Sequence, residues 1–331
     1  VDQAFSNIDF FNQIGSILKF KEKIYLDYFE FPKMYLDIIT KIQSQIRWKQ
    51  SFPSTLLNSS LITASMRLLK DKNEIAHIRQ ACKATAQAYD QVLNVLPELS
   101  DEKTIQDFIE SHFYANGANG LAYGSIVAAG NNACTLHYKK NNQTAAKGDL
   151  VLIDAGGEYD YYATDITRTY PLSGRFTASQ KDVYKLVLDV QKELISMIKP
   201  GVVIHDIEIK TRTLLAKGLI KLKILSGSSS QILKSDLFKK LYPHGFGHYI
   251  GLDVHDVGSY DLNKENEKRA VLKAGMILTV EPGLYLNEKI AEIPTKYKSI
   301  GIRIEDDILV TAKGCENLTI DAPKEISDIE I

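Results

Sequence analysis

The segment at residues 150–169 constrains the fold more than any other part of the chain. Its sequence, LVLIDAGGEYDYYATDITRT, opens with an apolar run that ends at Asp154, and two glycines and an aromatic-rich stretch lead to Asp165. This pattern predicts a β-hairpin with one acid in each strand, both side chains facing a common point. Either acid could be a solvated hairpin residue. However, a carboxylate directly after a buried strand carries a large desolvation cost unless a cation balances it.

Composition and charge exclude several classes of function. The 331 residues, 44% of them hydrophobic, suffice for one large domain or two ordinary ones. Because 40 basic and 41 acidic residues leave a net charge of -1, no global field recruits nucleic acid or an anionic membrane. Three widely spaced cysteines favour a reducing compartment, and no apolar run approaches a membrane span. We therefore expect a cytoplasmic protein without nucleic-acid or membrane partners.

The first 65 residues hold too little regular pattern for an independent doubly wound domain. A short strand is predicted at 23–28, and apolar spacing from Tyr35 to Ile46 predicts one helix. The polar residues 51–60 are typical of a linker and mark the expected boundary. We therefore predict a partial N-terminal domain over residues 1–65 and a second domain over residues 66–331.

Two helices begin the second domain and lead into strands. Apolar residues at steps of three and four predict a helix from Asn73 that stops at Pro97. A second helix follows, with Ser100 as its predicted N-cap. Strand-like stretches then lead to the predicted hairpin at 150–169.

The same order of elements returns in the second half. Thr177 and Gln180 form a predicted capping box for a third helix, and a fourth follows it. The serine-rich residues 226–230 are predicted to be a loop, and strands are expected at 276–285 and 302–311. Helix, helix and strands thus occur twice, which indicates a pseudo-duplicated α+β domain.

Three histidines lie within twelve residues of one another, at His244, His248 and His255. A single histidine is most often a satisfied structural residue, but three of the seven in the chain in one segment favour a site. The glycines between them would let the backbone approach a ligand closely, although glycines also punctuate ordinary turns.

Two further acids belong to predicted strands. Glu281 follows the run LTV, and Glu305 lies in the alternating strand GIRIED, where it shares one face with Arg303. The latter two could instead form an exposed ion pair of little energetic value. Together with Asp154 and Asp165, however, these acids make four carboxylates in one core, and such a group requires positive charge.

Charge counting favours two metal ions. Four carboxylates and one neutral imidazole supply about four negative charges, which two divalent ions would offset. Mostly oxygen ligands favour Mn(II), Co(II) or Fe(II) over a structural zinc site. Two such ions about 3.5 to 4 Å apart would hold a bridging hydroxide as nucleophile and polarise a carbonyl. We therefore infer hydrolysis, with His137, His244 and His255 suited to hydrogen bonding with substrate or a tetrahedral intermediate.

Four segments carry a resemblance to a known family. LIDAGGEYDYYATDITRTYP, HGFGHYIGLDVHDVG, LTVEPGLY and GIRIEDD closely resemble aminopeptidase P, the Xaa-Pro aminopeptidase of bacterial type within the pita-bread metallopeptidases. The similarity covers residues 66–318. It implies an α+β pita-bread fold with a pseudo-two-fold repeat, preceded by a truncated N-terminal domain remnant. It also implies a di-manganese site with the ligands Asp154, Asp165, His248, Glu281 and Glu305.

The resemblance further implies a reaction and roles in it. The family removes an N-terminal residue when proline is second: the bridging hydroxide attacks the Xaa-Pro carbonyl, and the free α-amine binds at the metals. Glu281 is then the candidate proton shuttle, and Arg303 supports the metal shell. The resemblance implies that His137, His244 and His255 contact the substrate or the transition state. It also places Tyr123 and Tyr285 near the site.

Several alternatives stay open at this point. Prolidase, a dipeptidase, shares the ligand set, and methionine aminopeptidase is related but does not usually have the preceding domain. A non-catalytic pita-bread module that binds peptides or histones, or a creatinase-like enzyme without metal, would have lost ligands that are all present here. Because family members carry a larger N-terminal domain than these 65 residues, homo-oligomerisation and control of substrate length stay open too.

Overall fold

The computed structural model describes residues 6–27, 31–45, 53–258 and 270–330. By its internal contacts the chain divides into two compact units, Val1–Met66 and Arg67–Ile331. No helix within the described ranges is both long and apolar enough to cross a membrane. The assignment of the first unit as a domain remnant and of the second as a catalytic domain stays a prediction.

The first unit is small and contains both elements predicted for it. Buried Ile14, Ile38 and Ile42 form its apolar centre. The ends of the predicted strand and helix, Tyr28 and Ile46, lie outside the described residues. Its elements are α1 (Asn7–Leu18), β1 (Lys23–Tyr25), α2 (Pro32–Gln45), β2 (Thr55–Leu57) and α3 (Ser60–Leu68).

The linker predicted at residues 51–60 is wrong for its described part. Residues 55–57 form β2, which pairs in parallel with β1, and α3 begins at Ser60. The serine and threonine content that suggested a loop is tolerated here because β2 is only three residues long and partly exposed.

Long helices and short strands build the second unit, in the predicted order. Its helices are α4 (Lys72–Val95), α5 (Glu102–Ala115), α6 (Ala178–Met197), α7 (Ile204–Lys221), α8 (Ser229–Lys234), α9 (Asp236–Leu241) and α10 (Ile326–Ile329). Its strands are β3 (Gly120–Leu121), β4 (Ile126–Ala129), β5 (Leu150–Asp154), β6 (Gly157–Tyr159), β7 (Tyr162–Ala163), β8 (Thr167–Pro171), β9 (Ile277–Val280), β10 (Gly283–Leu286), β11 (Ile300–Arg303), β12 (Asp306–Val310) and β13 (Cys315–Asn317).

Each half of this unit contributes a three-stranded antiparallel sheet to the place where the halves meet, and the first half also holds another such sheet, in the order β3-β6-β7. The first half gives the order β4-β5-β8, and the second gives β13-β12-β9, with β10 and β11 paired beside it. An isolated bridge between Thr167 and Glu305 joins the two halves. The bridge therefore brings the β4-β5-β8 and β13-β12-β9 sheets together at Glu305, one of the predicted ligands.

Caps define the helix ends, and two of them correct the sequence prediction. The capping box of Thr177 and Gln180 is confirmed. The N-cap of α5 is Asp101, not Ser100, because the Asp101 carboxylate accepts from the Thr104 amide. The loop predicted at 226–230 is shorter than expected, because Ser228 caps the short helix α8 and residues 229 and 230 belong to that helix. In both cases a side-chain oxygen that accepts from a backbone amide marks the start of the helix.

A buried ionic network ties the two sheets to α6. Arg168 on β8 donates to Asp306 on β12 over 2.6 Å, and Gln191 on α6 donates to the other Asp306 oxygen over 2.9 Å. Lys324 also contacts this carboxylate. Because Arg168 and Asp306 are the chain neighbours of Thr167 and Glu305, the network fixes the place where the halves meet.

Candidate metal centre

The predicted hairpin at 150–169 exists, but its details differ from the expectation. β5 pairs with β8, with Asp154 opposite Thr167, and the aromatic strands β6 and β7 form their own hairpin between them. Asp165 lies in the connection from β7 to β8, so the expectation of one acid in each strand is wrong for Asp165. The extra hairpin forms because Asp160 and Tyr161 adopt positive φ values of 47° and 71° and reverse the chain.

The two strands predicted in the second half are each broken at the predicted acid. Glu281 and Pro282 separate β9 from β10, and Ile304 and Glu305 separate β11 from β12. Proline cannot donate to a strand ladder, so the first break follows from the sequence EP. The acids therefore lie at ends of strands, where their side chains can face a common point.

Five predicted ligands converge at this point. Ligand atoms of Asp165, His248 and Glu305 all lie within 4.8 Å of one another. His248 Nε2 is 3.4 Å from Asp165 Oδ2 and 3.8 Å from Glu281 Oε1. Asp154 joins through the Tyr123 hydroxyl, which lies 2.6 Å from Asp154 Oδ1 and 2.5 Å from Asp165 Oδ1.

Burial and mutual repulsion disfavour the charged forms of Asp154, Glu281 and Glu305. Burial raises the pKa of Asp154. The charge of Arg303 lowers this pKa and that of the Asp165 carboxylate raises it, so the net shift is upward. Burial, followed by the charges of neighbouring acids, raises the pKa of Glu305 well above its ordinary value. Burial also raises the pKa of Glu281, to about 7. A buried set of oxygen ligands with excess negative charge and one imidazole fits hard divalent cations.

The backbone around His248 directs one ring nitrogen at the acids. Its Nδ1 lies 3.0 Å from the Tyr249 carbonyl, so Nδ1 carries the hydrogen and Nε2 is free to coordinate. The Thr279 hydroxyl accepts from the His248 amide over 3.0 Å. Burial alone would lower the pKa of His248, but the hydrogen bond to Asp165 and the charge of Glu281 raise it to about 9.

Arg303 is buried among the acids and does not form the exposed ion pair considered above. It is 4% exposed and Glu305 is 2% exposed. Its Nη2 donates to Asp154, and its Nε donates to the Thr167 hydroxyl over 3.0 Å. Thr167 in turn donates to Glu305 Oε2 over 2.5 Å. The guanidinium therefore orients two acids, one directly and one through a threonine.

A second chain of hydrogen bonds connects Arg303 to His244. Arg303 Nη1 donates to the Tyr285 hydroxyl over 2.8 Å, and Tyr285 lies 2.7 Å from His244 Nε2. Because His244 Nδ1 is 2.8 Å from the Gly245 carbonyl, Nδ1 donates and Nε2 accepts from Tyr285. Burial, reinforced by the charge of Arg303, lowers the pKa of His244 to about 3. His244 is therefore neutral near pH 7.

The remaining two histidines border an open cavity beside the acids. The His255 ring centroid lies 4.1 Å from that of His248, and burial followed by the His248 charge lowers the pKa of His255. His137 has a positive φ of 56°. Both line a cavity of about 620 Å³ together with Tyr123, Asp154 and Asp165.

Two residues of the site were not predicted from the sequence. Thr167 connects Arg303 to Glu305, as described above. Asp307 accepts from the Asp165 amide over 3.1 Å and from the Thr164 hydroxyl over 2.7 Å. The last acid of the EDD run was a signal for Asp307. Thr167 had no such signal, because its role depends on the bridge between the two halves.

Comparison with known proteins identifies the family of this chain. Residues 76–312 match metallopeptidase family M24. The chain belongs to this family. M24 relatives include Xaa-Pro aminopeptidase from Escherichia coli, 36% identical over 100% of this chain and 74% of the relative. Another is Xaa-Pro aminopeptidase from Haemophilus influenzae, 42% identical over 84% of this chain and 63% of the relative.

Solved M24 structures confirm the predicted fold and the resemblance to aminopeptidase P. Pseudomonas aeruginosa aminopeptidase PepP matches with a TM-score of 0.90 and 36% identity, covering 100% of this chain and 75% of its own. The low-pH form of Escherichia coli aminopeptidase P matches with a TM-score of 0.91 and 36% identity, and the match covers 100% of this chain and 74% of that structure. The chain thus spans three quarters of these structures but only 63% of the Haemophilus relative and 51% of a rat relative.

Proposed function

We propose that the chain hydrolyses the N-terminal Xaa-Pro bond of peptides that have proline in second position. The observation that carries this proposal is the buried cluster of four carboxylates and His248 beside an open cavity bordered by histidines. The relatives named Xaa-Pro aminopeptidase support the choice of substrate. Because Asp154 and Asp165 line the cavity, the free α-amine of a peptide would reach the metal ions that they hold, as an exopeptidase requires.

The cofactors in this proposal are two divalent metal ions, with Mn(II) preferred. When bound, they supply a hydroxide nucleophile near neutral pH and polarise the carbonyl that it attacks. The ligands proposed for them are Asp154, Asp165, His248, Glu281 and Glu305.

The other residues of the site bind, orient and move protons. Glu281, whose Oε1 lies 3.8 Å from His248 Nε2, is the proposed proton shuttle to the leaving amine. His137 and His255 line the cavity and suit hydrogen bonding to the substrate. Neutral His244 would join them by exchanging its Tyr285 partner for the substrate. Arg303 holds Asp154 and Tyr285 in place.

Three coarser assignments belong to the same proposal. Residues 1–65 are assigned to part of an N-terminal domain, and residues 66–331 to the catalytic domain. A cytoplasmic location is supported by three free cysteines, Cys82, Cys134 and Cys315. A homo-oligomer is proposed on the resemblance alone.

One experiment separates this function from its alternatives. Protein stripped by a chelator and then reconstituted with Mn(II) is incubated with Xaa-Pro, Xaa-Pro-Yaa and Met-Ala-Yaa peptides, and the products are read by mass. We expect release of Xaa from Xaa-Pro-Yaa by the reconstituted protein only. Cleavage confined to Xaa-Pro would identify a prolidase, and cleavage of Met-Ala-Yaa a methionine aminopeptidase. No cleavage with any metal would support the peptide-binding module.

A further inference from the structure

The cavity beside the metal centre carries a positive charge that the proposed reaction does not use. Among the described residues that line it, Lys139 is the one lysine or arginine. The same cavity presents Asp154, Asp165, His137 and His255. One cavity therefore brings the metal centre and a positively charged side chain within reach of the same ligand.

Buried anchors on both sides fix the backbone at Lys139. The Tyr138 hydroxyl donates to Glu102 on α5 over 2.9 Å. The Asn141 amide donates to the Ser125 carbonyl over 2.7 Å and accepts from the Val127 amide over 3.1 Å. Tyr138 is 9% exposed and Asn141 is 4% exposed. Lys139 therefore extends from a held segment of two residues and not from a loose surface loop.

The neighbouring lysine provides a contrast. Lys140 lines a different cavity, formed with Tyr138, Asn132 and Asp149 among others. Two adjacent lysines between the same anchors thus serve different surfaces, and only Lys139 faces the metal centre. Neither lysine forms an ion pair with a carboxylate in the described part of the chain. The Lys139 charge is therefore available to a ligand.

We propose that Lys139 binds a carboxylate of the peptide substrate and so sets a preference for peptides that carry one. This inference rests on the proposed function and adds a substrate class to it. A peptide whose free α-amine lies at the metal centre can place a carboxylate elsewhere in the same cavity, where Lys139 supplies the positive charge. The carboxylate can come from an acidic side chain or from the C-terminus of a short peptide, and lysine binds either as a point charge.

Matched peptide pairs test the proposal and separate the two sources. The Mn(II)-loaded wild type and Lys139→Gln are compared on Ala-Pro-Ala with a free or an amidated C-terminus. They are also compared on the amidated pairs Asp-Pro-Ala with Asn-Pro-Ala, and Ala-Pro-Asp with Ala-Pro-Asn. For at least one pair, we expect the wild type to have a higher kcat/KM for the peptide with the carboxylate than for its neutral partner. In Lys139→Gln the ratio of these two kcat/KM values should be about fivefold smaller. The pair that responds identifies the source.

Further variants define the charge. Lys139→Arg should keep the preference, and Lys139→Glu should reverse it. Lys140→Gln is the matched control and should leave every ratio unchanged. The preference should also shrink between about 0.05 M and about 0.5 M salt, because screening weakens an exposed ion pair. Cleavage of the neutral amidated peptides should stay unchanged in Lys139→Gln, since no proposed ligand is altered.

The inference and the proposed function fail in different ways. Equal carboxylate-to-neutral ratios in the wild type and Lys139→Gln for all three pairs overturn the role of Lys139, whatever the activity. If the wild type cleaves none of the peptides, the proposed function fails. The same ratios are then measured as dissociation constants by calorimetry, and equal values again overturn the inference.

Discussion

Asp165 shows how a single residue gains its role from its surroundings. Its carboxylate lies 3.4 Å from His248, shares the Tyr123 hydroxyl with Asp154, and follows an amide held by Asp307. A surface aspartate has none of these contacts. The side chain is therefore placed by four neighbours that come from different parts of the chain.

Asp165→Ala should abolish peptide hydrolysis, with kcat/KM reduced by about a thousandfold or more, because the metal set loses a ligand. The metal-free fold should stay intact, since the substitution also removes one of several mutually repelling carboxylates. Cleavage of Xaa-Pro-Yaa and thermal unfolding of the chelated protein measure the two effects. Asp189→Asn is the control, because Asp189 lies on the exposed face of α6, where it pairs with Lys185. Unchanged activity in Asp165→Ala would reject the ligand assignment.

Tyr285→Phe tests the chain of hydrogen bonds from Arg303 to His244. The substitution removes one hydroxyl and leaves the ring packed, so we expect an intact fold and a kcat reduced by about 10- to 100-fold. KM should change less, because the metal ligands remain. The pH profile of kcat should also shift, since His244 loses the donor to its Nε2. If Tyr285→Phe only lowers the free energy of unfolding, and its folded fraction keeps the wild-type pH profile of kcat, this role is contradicted.

At the level of elements, breaks in strands place the acids. β9 and β10 separate at Glu281, β11 and β12 separate at Glu305, and an inserted hairpin separates β5 from β8 at Asp165. At a break the backbone leaves the ladder, so the side chain no longer alternates between the two faces of a sheet. Each acid can then face the centre between the two halves of the fold.

Thr167→Val tests whether β8 supports the metal shell. The variant keeps the shape of the side chain but removes the hydroxyl that connects Arg303 to Glu305, so Mn(II) affinity should fall by about 10- to 100-fold. Thr169→Val is the matched control on the same strand, because its hydroxyl contacts the backbone of Arg303 instead of a carboxylate. It should lower stability without a comparable loss of affinity. Calorimetric titration with Mn(II) distinguishes the two, and equal losses would refute the special role of Thr167.

Thr177→Ala tests the capping box of α6. The variant removes the acceptor for the Gln180 amide, so the free energy of unfolding should fall by about 1 kcal/mol. Ser196→Ala, at an exposed position near the end of the same helix, should change it by less than about 0.5 kcal/mol. Urea unfolding followed by circular dichroism measures both. An equal effect of the two substitutions would show that the cap does not stabilise the helix.

At the level of the whole molecule, the clustered acids should make the metal-free protein less stable as pH rises. The pKa of Glu281 is raised to about 7 and that of His248 to about 9. Both groups bind protons more tightly when folded than when unfolded, so each contributes stability at low pH. This contribution is lost between about pH 4.5 and 7 for Glu281 and between about pH 6.5 and 9 for His248.

Thermal unfolding of chelated protein across this range measures the effect. We expect the free energy of unfolding to fall on the order of 4 kcal/mol from about pH 5 to about pH 9, because the Glu281 and His248 shifts outweigh the opposite contribution of His244 below about pH 6.5. Glu281→Gln should flatten the lower part of the curve. Mn(II) at about 100 times its dissociation constant should restore about 2.7 kcal/mol. A fixed Mn(II) concentration should restore more at high pH, where the ligands are deprotonated and bind the metal more tightly. Rising stability with pH in the chelated protein would contradict the predicted clustering of charge.

The sequence by itself determined the periodic elements, the repeat of helix, helix and strands, and the residue types of the centre. Helix periodicity and the Thr177 cap are local properties, and the acids that follow apolar runs are visible without a partner. The tertiary structure decided which side chains meet. The bridge from Thr167 to Glu305 joins positions 138 residues apart, and the bond from Arg303 to Tyr285 joins positions 18 residues apart. The first depends on packing between the halves and the second on the register of β10 and β11, and local pattern carries no information about either.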